Sequence, residues 1–298
     1  MRVITEFTSS NGFEVLSPAD QRLPFVFGSP HSGRSYPRSF LDQSRLDERR
    51  IRLSEDAYVD ELFAHVPDLG APLIRALFPR AYLDVNREPY ELDQRMFSER
   101  LPPYVNARSQ RVAAGLGTVP RVISDSEDIY AGPITVAEAL WRVEKLYKPY
   151  HAALRRLLAT THVRFGCAVL VDCHSMPSTF RGQDPRHRAD FVLGDRHGTS
   201  APRLLIDTAH KVLTELGYKV GINKPYAGGF ITEHYGRPAR GLHALQIEVN
   251  RSLYMDEKTL ERHTGMDKLI ADLGLLTGRL TALPVEVLSP LSGRFAAE

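Results

Sequence analysis

The chain has 298 residues, of which 43% are hydrophobic and 25% are charged, as is typical of a globular protein with a sizeable core. Its formal net charge of +2 gives no electrostatic reason to expect nucleic acid or a membrane surface as a partner. No apolar run reaches the length of a transmembrane helix, and the N-terminus lacks the apolar core of a secretory signal. Because Cys167 and Cys173 lie along one predicted strand and cannot bridge each other, we expect a reduced, cytoplasmic protein.

Apolar runs and turn residues predict strands and helices that alternate along the chain. After a polar lead-in or edge hairpin over 1–23, we expect strands at 25–27, 71–77, 81–85, 167–171, 189–194, 218–222 and 243–250. We expect helices from Ser54 to Pro67, over 136–160 with a capping box at Thr135 and Glu138 and a kink at Pro149, from Ser200 to Gly217, and over 257–283. This alternation predicts an α/β protein with a mixed, mostly parallel sheet between helix layers, and no linker divides residues 1–298 into two domains.

Two histidines stand where predicted strands end. His31 follows the apolar run 25–27 in a turn of Ser, Pro and Gly residues, and His174 follows the run 167–171 with Asp172 beside it. A single histidine at such a place is more often a structural hydrogen-bonding residue. Because sites in open α/β sheets form at the carboxyl ends of strands, two such histidines predict one shared site.

A catalytic metal fits these residues better than a nucleophile does. No Gly-x-Ser-x-Gly, P-loop or dinucleotide-binding pattern is present, and Cys173 points away from His174 because side chains alternate along a strand. Two imidazoles and one carboxylate are a common catalytic zinc set, and Asp56 is the most suitable carboxylate. Zinc would lower the pKa of a bound water to about 7. Glu248, a charged residue inside the strand 243–250, is the candidate general base.

Six short motifs occur in the order found in one enzyme family. They are Pro-His-Ser-Gly at 30–33, Asp-Ala-Tyr-Val-Asp at 56–60, Leu-Asp-Val-Asn-Arg at 83–87, Asp-Cys-His-Ser at 172–175, Gly-Gly-Phe-Ile-Thr-Glu-His-Tyr-Gly-Arg-Pro at 228–238 and Gln-Ile-Glu-Val at 246–249. The ordered set resembles the N-formylglutamate amidohydrolase family. The resemblance implies an α/β/α sandwich around a mixed eight-stranded sheet, as in zinc carboxypeptidases and succinylglutamate desuccinylases.

The resemblance also implies roles for individual residues. It implies a zinc site formed by His31, Asp56 and His174. It implies that Glu248 is the base that activates water, and that Asn86 and Arg87 bind the substrate's carboxylate. The compact His-x-x-Glu ligand pair of carboxypeptidases is absent, because Arg34 stands three residues after His31. The carboxylate ligand must therefore come from elsewhere in the chain, and another divalent transition metal could take the place of zinc.

Two further stretches border the expected site. The glycine-rich segment 223–238 carries Tyr226, His234 and Arg237, which either contact the substrate or only form the turn. The loop-rich stretch 88–133 is long enough to form a lid or wall of the site. It is also the part least similar to the family members that act in histidine degradation. The identity of the N-acyl amino acid substrate is therefore left open.

The expected function is hydrolysis of a small anionic N-acyl amino acid, such as N-formyl-L-glutamate, to the free amino acid and formate. A carboxypeptidase-like enzyme or another N-acyl-amino-acid hydrolase would use the same residues. A non-catalytic domain of this fold would instead bind an amino acid or a peptide carboxylate. The joint presence of the four residues proposed for the chemistry argues against that last hypothesis, and the oligomeric state is left open.

Overall fold

The computed structural model describes residues 12–123, 127–179 and 188–290. Within them lies one mixed sheet formed by β1 (Phe13–Leu16), β2 (Phe25–Ser29), β3 (Leu73–Ala76), β4 (Ala168–Met176), β5 (Phe191–Gly194), β6 (Val220–Ile222) and β7 (Leu242–Asn250). The strand order is β1-β3-β2-β4-β7-β5-β6. The predicted α/β class with a mixed sheet is confirmed. The family resemblance implies eight strands, whereas the described residues form seven.

Three parallel strands form the middle of the sheet. β2 pairs with β4 and β4 pairs with β7, so the carboxyl ends of all three lie at the same edge. β5 runs antiparallel to β7 and parallel to β6. Every residue of β2 and β4 is buried, as expected for parallel strands that are covered on both faces. Asp172 and His174 are buried within β4, which costs free energy unless they have partners.

The described residues form the following α-helices, several of which are short. They are α1 (Arg38–Gln43), α2 (Glu48–Arg52), α3 (Val59–Leu62), α4 (Val66–Leu69), α5 (Gln110–Ala113), α6 (Val136–Arg142), α7 (Lys148–Phe165), α8 (Arg203–Glu215), α9 (Phe230–Tyr235), α10 (Gly265–Thr281) and α11 (Val285–Leu288). A π-helical turn, Val143–Tyr147, joins α6 to α7. Among the described residues, no helix combines the length and the apolar character needed to cross a membrane.

The chain divides into two compact units, each made of several segments. The first has a core built around Arg142, which is fully buried. Its guanidinium carbon lies 3.9 Å from the centre of the Tyr82 ring. Its Nη1 donates hydrogen bonds to the Tyr82 carbonyl at 3.0 Å and to the Tyr130 hydroxyl at 2.6 Å. Glu138 pairs with the same guanidinium. The described part of this unit comprises residues 12–14, 30–57, 75–123 and 127–154.

The second unit contains the parallel centre of the sheet. Within it, α8 packs against β5 and α10, and α9 packs against β7 and β4. On α8, Leu205, Val212 and Leu213 are buried and form the apolar face of the helix. The described part of this unit comprises residues 15–29, 58–74, 155–179 and 188–290.

The helix predicted from Ser54 to Pro67 is not continuous. Tyr58 adopts a left-handed conformation, with φ 66°, and precedes the single turn of α3. α4 then begins at Val66, so Pro67 lies in the first turn of a helix, where its missing N–H costs nothing. Pro67 therefore begins a helix and does not end one. Asp56 consequently lies in a turn before α3, and not within a helix as the sequence predicts.

Other predicted elements differ for local reasons. The apolar run 81–85 is buried but forms turns, since the Leu83 N–H donates to the Pro79 carbonyl at 3.2 Å. α10 begins at Gly265 and not near 257, because Asp256 Oδ1 accepts from the backbone N–H groups of Lys258 and Thr259, which favours a turn. The kink predicted at Pro149 takes the form of the π-helical turn just before it.

Candidate active site

His31 lies in the turn that follows β2, and Gly33 sets the path of that turn. A Cβ at Gly33 would lie 2.1 Å from the Phe78 carbonyl oxygen, so only glycine lets the two backbones approach this closely. The Ser35 N–H donates to the Leu77 carbonyl at 2.9 Å and holds the same crossing. The imidazole that this turn delivers is buried, with 1% of its surface exposed.

Two carboxylates approach the ring nitrogens of His31. Nε2 lies 2.7 Å from Asp84 Oδ1, and Nδ1 lies 3.3 Å from Asp56 Oδ2. Ionised Asp84 only accepts hydrogen bonds, so Nε2 donates to it, and in the neutral ring Nδ1 carries the lone pair on the side of Asp56. Burial opposes the charge on Asp84, but the neighbouring Arg87, and after it His31 and Arg80, hold the pKa of that carboxyl well below its usual value.

Asp56 reaches this position from the turn before α3. Its backbone N–H donates to the His31 carbonyl at 3.0 Å, so the two candidate ligands are also joined through the backbone. The left-handed Tyr58 then directs the chain into α3. The adjacent Glu55 is buried and accepts a hydrogen bond from the Tyr36 hydroxyl at 2.6 Å, and burial raises the pKa of its carboxyl. These contacts fix the segment that carries Asp56.

His174 and Glu248 are opposite each other in the ladder between β4 and β7. Two residues earlier the ladder pairs Asp172 with Gln246, and because side chains alternate, all four share one face of the sheet. All four are buried, and His174 Nε2 lies 3.0 Å from Asp172 Oδ1. Cys173 points to the opposite face, and burial raises the pKa of its thiol well above the usual value. A buried neutral thiol on the other face is unsuited to act as a nucleophile.

The three residues predicted as metal ligands lie together. His31, Asp56 and His174 each offer one ligand atom, and these atoms lie within 4.8 Å of one another on buried side chains. Two imidazole nitrogens and one carboxylate oxygen form a donor set typical of catalytic zinc. Each imidazole also has a buried carboxylate close to one of its nitrogens, Asp84 or Asp172, as metal-bound histidines usually have. The residues present therefore fit a divalent metal ion of the zinc type.

Arg87 is held by protein groups on several sides. Its Nε donates to the Leu116 carbonyl and its Nη1 to the Asn86 carbonyl, each at 2.8 Å, and its Nη2 lies 3.4 Å from Asp84 Oδ2. Asn86 is buried, and its backbone N–H donates to Asp84 Oδ1 at 2.8 Å. The contacts of Arg87 use three of the five N–H groups of a guanidinium and leave the side chain 13% exposed. A fixed fork with two remaining N–H groups can still receive a carboxylate.

The other residues predicted to bind substrate lie around α9. Tyr226 is in the loop between β6 and α9 and is partly buried, whereas His234 is exposed on α9. Arg237 follows this helix, and its Nη1 donates to the carbonyls of Glu233 at 2.6 Å and Gly236 at 2.7 Å. These bonds satisfy carbonyls at the end of α9, which is the turn-forming role that the sequence left open for Arg237.

Three polar residues of the site receive no role from the sequence. Arg80 Nη2 lies 3.0 Å from Asp84 Oδ2 and its Nη1 lies 3.7 Å from Asp56 Oδ1. Gln246 Nε2 donates to Glu248 Oε1 at 2.8 Å. Asp84 and Gln246 do carry a signal, since each is a polar residue flanked by apolar ones in a buried stretch. Nothing in the sequence around Arg80 marks it.

The fold and the site together define a class of protein. They describe an α/β protein in which buried imidazole and carboxylate groups are gathered as in metal-dependent hydrolases. A model of the N-formylglutamate amidohydrolase family matches residues 23–255, and the chain belongs to this family.

Named relatives agree with this assignment. The chain is 31% identical to the N-formylglutamate deformylase of Pseudomonas putida over 82% of this chain and 86% of the relative. It is also 31% identical to that of Pseudomonas aeruginosa, over 82% and 87%. The crystal structure of an N-formylglutamate amidohydrolase from Ralstonia eutropha JMP134 shares 39% identity, covers 91% of this chain and 97% of its own, and superposes with a TM-score of 0.85. An Agrobacterium tumefaciens protein with 17% identity and a TM-score of 0.66 shares the fold.

Proposed function

We propose that the protein hydrolyses N-formyl-L-glutamate to L-glutamate and formate and requires a divalent metal, most naturally zinc. The observation that carries the proposal is the cluster of His31, Asp56 and His174, with ligand atoms within 4.8 Å of one another, in a member of this family. Relatives named N-formylglutamate deformylase support the choice of substrate. The substrate is a small dianion, in keeping with the two arginines, Arg80 and Arg87, that pair with Asp84. The cytoplasm is the proposed location.

The proposed metal ligands are His31, Asp56 and His174. The ion, when bound, acts as a Lewis acid on the amide carbonyl and lowers the pKa of water. Asp84 accepts from Nε2 of His31 at 2.7 Å and so keeps the other ring nitrogen available as a ligand. Asp172 Oδ1 lies 3.0 Å from Nε2 of His174 without a hydrogen bond between them in this structure, and it is proposed to accept from that nitrogen when the metal is bound.

Glu248 is the proposed general base. Its carboxylate takes a proton from the attacking water and delivers it to the nitrogen of the leaving amino acid. The ladder places it opposite His174 on the same face of the sheet, which supports a position near the metal without a role as ligand. The products are then formate and an amine, so one water molecule is consumed for each amide bond broken.

Arg87 and Asn86 are proposed to bind a carboxylate of the substrate. Arg87 is fixed by the Leu116 and Asn86 carbonyls and keeps two N–H groups for a ligand. Tyr226, His234 and Arg237 are proposed to contact the rest of the substrate. Of these, Arg237 has the weakest support, because its guanidinium already bonds two carbonyls at the end of α9, those of Glu233 and Gly236.

A substrate panel tests the proposed function. Zinc-loaded protein is incubated with N-formyl, N-acetyl and N-succinyl derivatives of glutamate, with N-formylaspartate, and with a dipeptide that ends in glutamate. We expect formate and free glutamate in equal amounts from N-formylglutamate, and a kcat/KM at least about tenfold below this for the others, since a pocket built for one polar group rejects analogues. Preference for another acyl group would move the protein within the class of acyl-amino-acid hydrolases. No release from any amide would contradict the proposal.

A further inference from the structure

Gln246 makes a pair of hydrogen bonds that the proposed reaction does not yet use. Its side chain is buried on β7, two residues before Glu248 and on the same face. Its Oε1 accepts from the Gly229 backbone N–H at 2.7 Å, and its Nε2 donates to Glu248 Oε1 at 2.8 Å. A backbone N–H can only donate, so it fixes which end of the amide is oxygen. The NH2 end must then face Glu248.

The glycine-rich loop holds Gly229 in the position that this requires. Gly228 has a φ of +115°, which side chains other than hydrogen rarely tolerate. A Cβ at Gly194 of β5 would lie 2.7 Å from the Ala227 carbonyl carbon, so the absence of that atom lets the loop lie directly on the strand. The Gly229 N–H is thereby aimed at Gln246, and the orientation of the amide is set by backbone geometry.

We infer that Gln246 is a positioning residue for Glu248, and that the loop 227–229 acts on the base through it. This inference rests on the proposed function. The amide neither gains nor loses a proton near neutral pH, so it cannot replace the base. It donates to one oxygen of the carboxylate and so restricts its rotation. A general base must lie within hydrogen-bonding reach of the proton it removes, and a misplacement of about 1 Å can cost a large part of the rate.

A purely structural role for Gln246 makes a different prediction. In that case its loss lowers stability, disturbs the loop and affects substrate binding, whatever residue stands at 248. If Gln246 acts through Glu248, its loss lowers kcat with little change in KM. The loss also has little further effect once Glu248 no longer serves as a base, because residues that act as a unit are not additive.

The test is a double-mutant cycle with Gln246→Met, Glu248→Gln and the double variant, assayed for formate release at equal zinc content. We expect Gln246→Met to lower kcat by about tenfold, with KM for N-formylglutamate within about twofold of the original value. In the Glu248→Gln background, whose residual activity is followed over long incubations, the same change should alter kcat by less than about twofold.

The matched control is His243→Leu. His243 is also buried on β7, but it bonds the Leu288 carbonyl at 2.7 Å and lies on the opposite face from Glu248. We expect this variant to be less stable while kcat per zinc-bound chain is kept. An unchanged kcat in Gln246→Met, or an equal loss in both backgrounds, would overturn the role of Gln246 and leave the proposed function intact. Absence of formate release from the unmodified protein would instead overturn both.

Discussion

Several polar contacts of the candidate site meet at Asp84. It accepts from His31 Nε2 at 2.7 Å and from the Asn86 backbone N–H at 2.8 Å, and it pairs with Arg80 at 3.0 Å. Its charge is kept in spite of complete burial because Arg87 and its neighbours lower the pKa of the carboxyl. One residue therefore sets the tautomer of a proposed metal ligand and also anchors the arginine proposed to bind substrate.

We expect Asp84→Asn to weaken zinc binding by about 10-fold to 100-fold, the range typical of losing a carboxylate behind a metal-bound histidine. Zinc affinity is measured by competition with a chromophoric chelator. Asp93→Asn is the matched control, since Asp93 is a buried carboxylate held by Arg95 at 2.7 Å and Arg121 at 3.0 Å, away from the candidate ligands. Equal zinc affinity in the two variants would show that Asp84 does not support a ligand.

At the scale of elements, α9 carries a histidine whose charge can be followed. Although His234 is exposed, partial desolvation of its ring, followed by the nearby Arg237 and Arg155, lowers the pKa of His234 from its ordinary value of 6.5. The folded protein thus disfavours the protonated ring, and as the pH falls through 6.5 the unfolded chain takes up the proton first. The lowered pKa favours the neutral ring at pH 7, so in the proposed contact with substrate His234 would offer a hydrogen bond and no positive charge.

We expect the ring resonances of His234 in nuclear magnetic resonance spectra to titrate at a lower pH in the folded protein than in the same chain unfolded in urea. His234→Gln assigns the resonance. Because the ring is expected to contact the substrate in its uncharged form, the effect of this substitution on KM should differ only slightly between pH 6.5 and pH 8. A midpoint in the folded protein above that of the unfolded chain would refute the expected neutral state.

Strands were the elements most readily predicted from the sequence. β4 and β7 follow from an apolar run and from an alternating pattern, and both patterns reflect burial, which the fold requires. The segment from Ser54 to Pro67 could not be predicted, because its path depends on the left-handed Tyr58 and not on hydrophobic periodicity. The same holds before α10, where Asp256 forms a local turn. Hydrophobic patterns identify what is buried, while local hydrogen bonds decide how the backbone turns.

The candidate site shows the same division. His31, His174 and Glu248 could be selected because a polar residue in or after an apolar strand is costly without a purpose. Asp56 is predicted as the most suitable carboxylate and is also implied by the family motif, and the structure brings it to His31 through a turn. The contacts of Arg80 depend on folding alone and leave no pattern in the sequence.

At the scale of the whole molecule, the family relationship covers most of the chain. The Ralstonia eutropha structure covers 91% of it with a TM-score of 0.85. Family membership therefore concerns the chain as a whole and not one motif. That residues 1–298 act as a single catalytic domain stays a prediction, and so does the grouping of helices into two outer layers. The net charge of the chain, +2, is small, so attraction of the proposed anionic substrate would come from local arginines.

The central claim is that one metal ion, held by His31, Asp56 and His174, is required for hydrolysis of N-formylglutamate. The most direct test is to titrate zinc into metal-free protein and follow formate release. We expect activity to rise in proportion to added zinc and to stop rising at about one ion per chain. His31→Ala and His174→Ala should keep their fold by circular dichroism but show no such rise. Full activity in the metal-free protein, or an unchanged titration in both variants, would contradict the account.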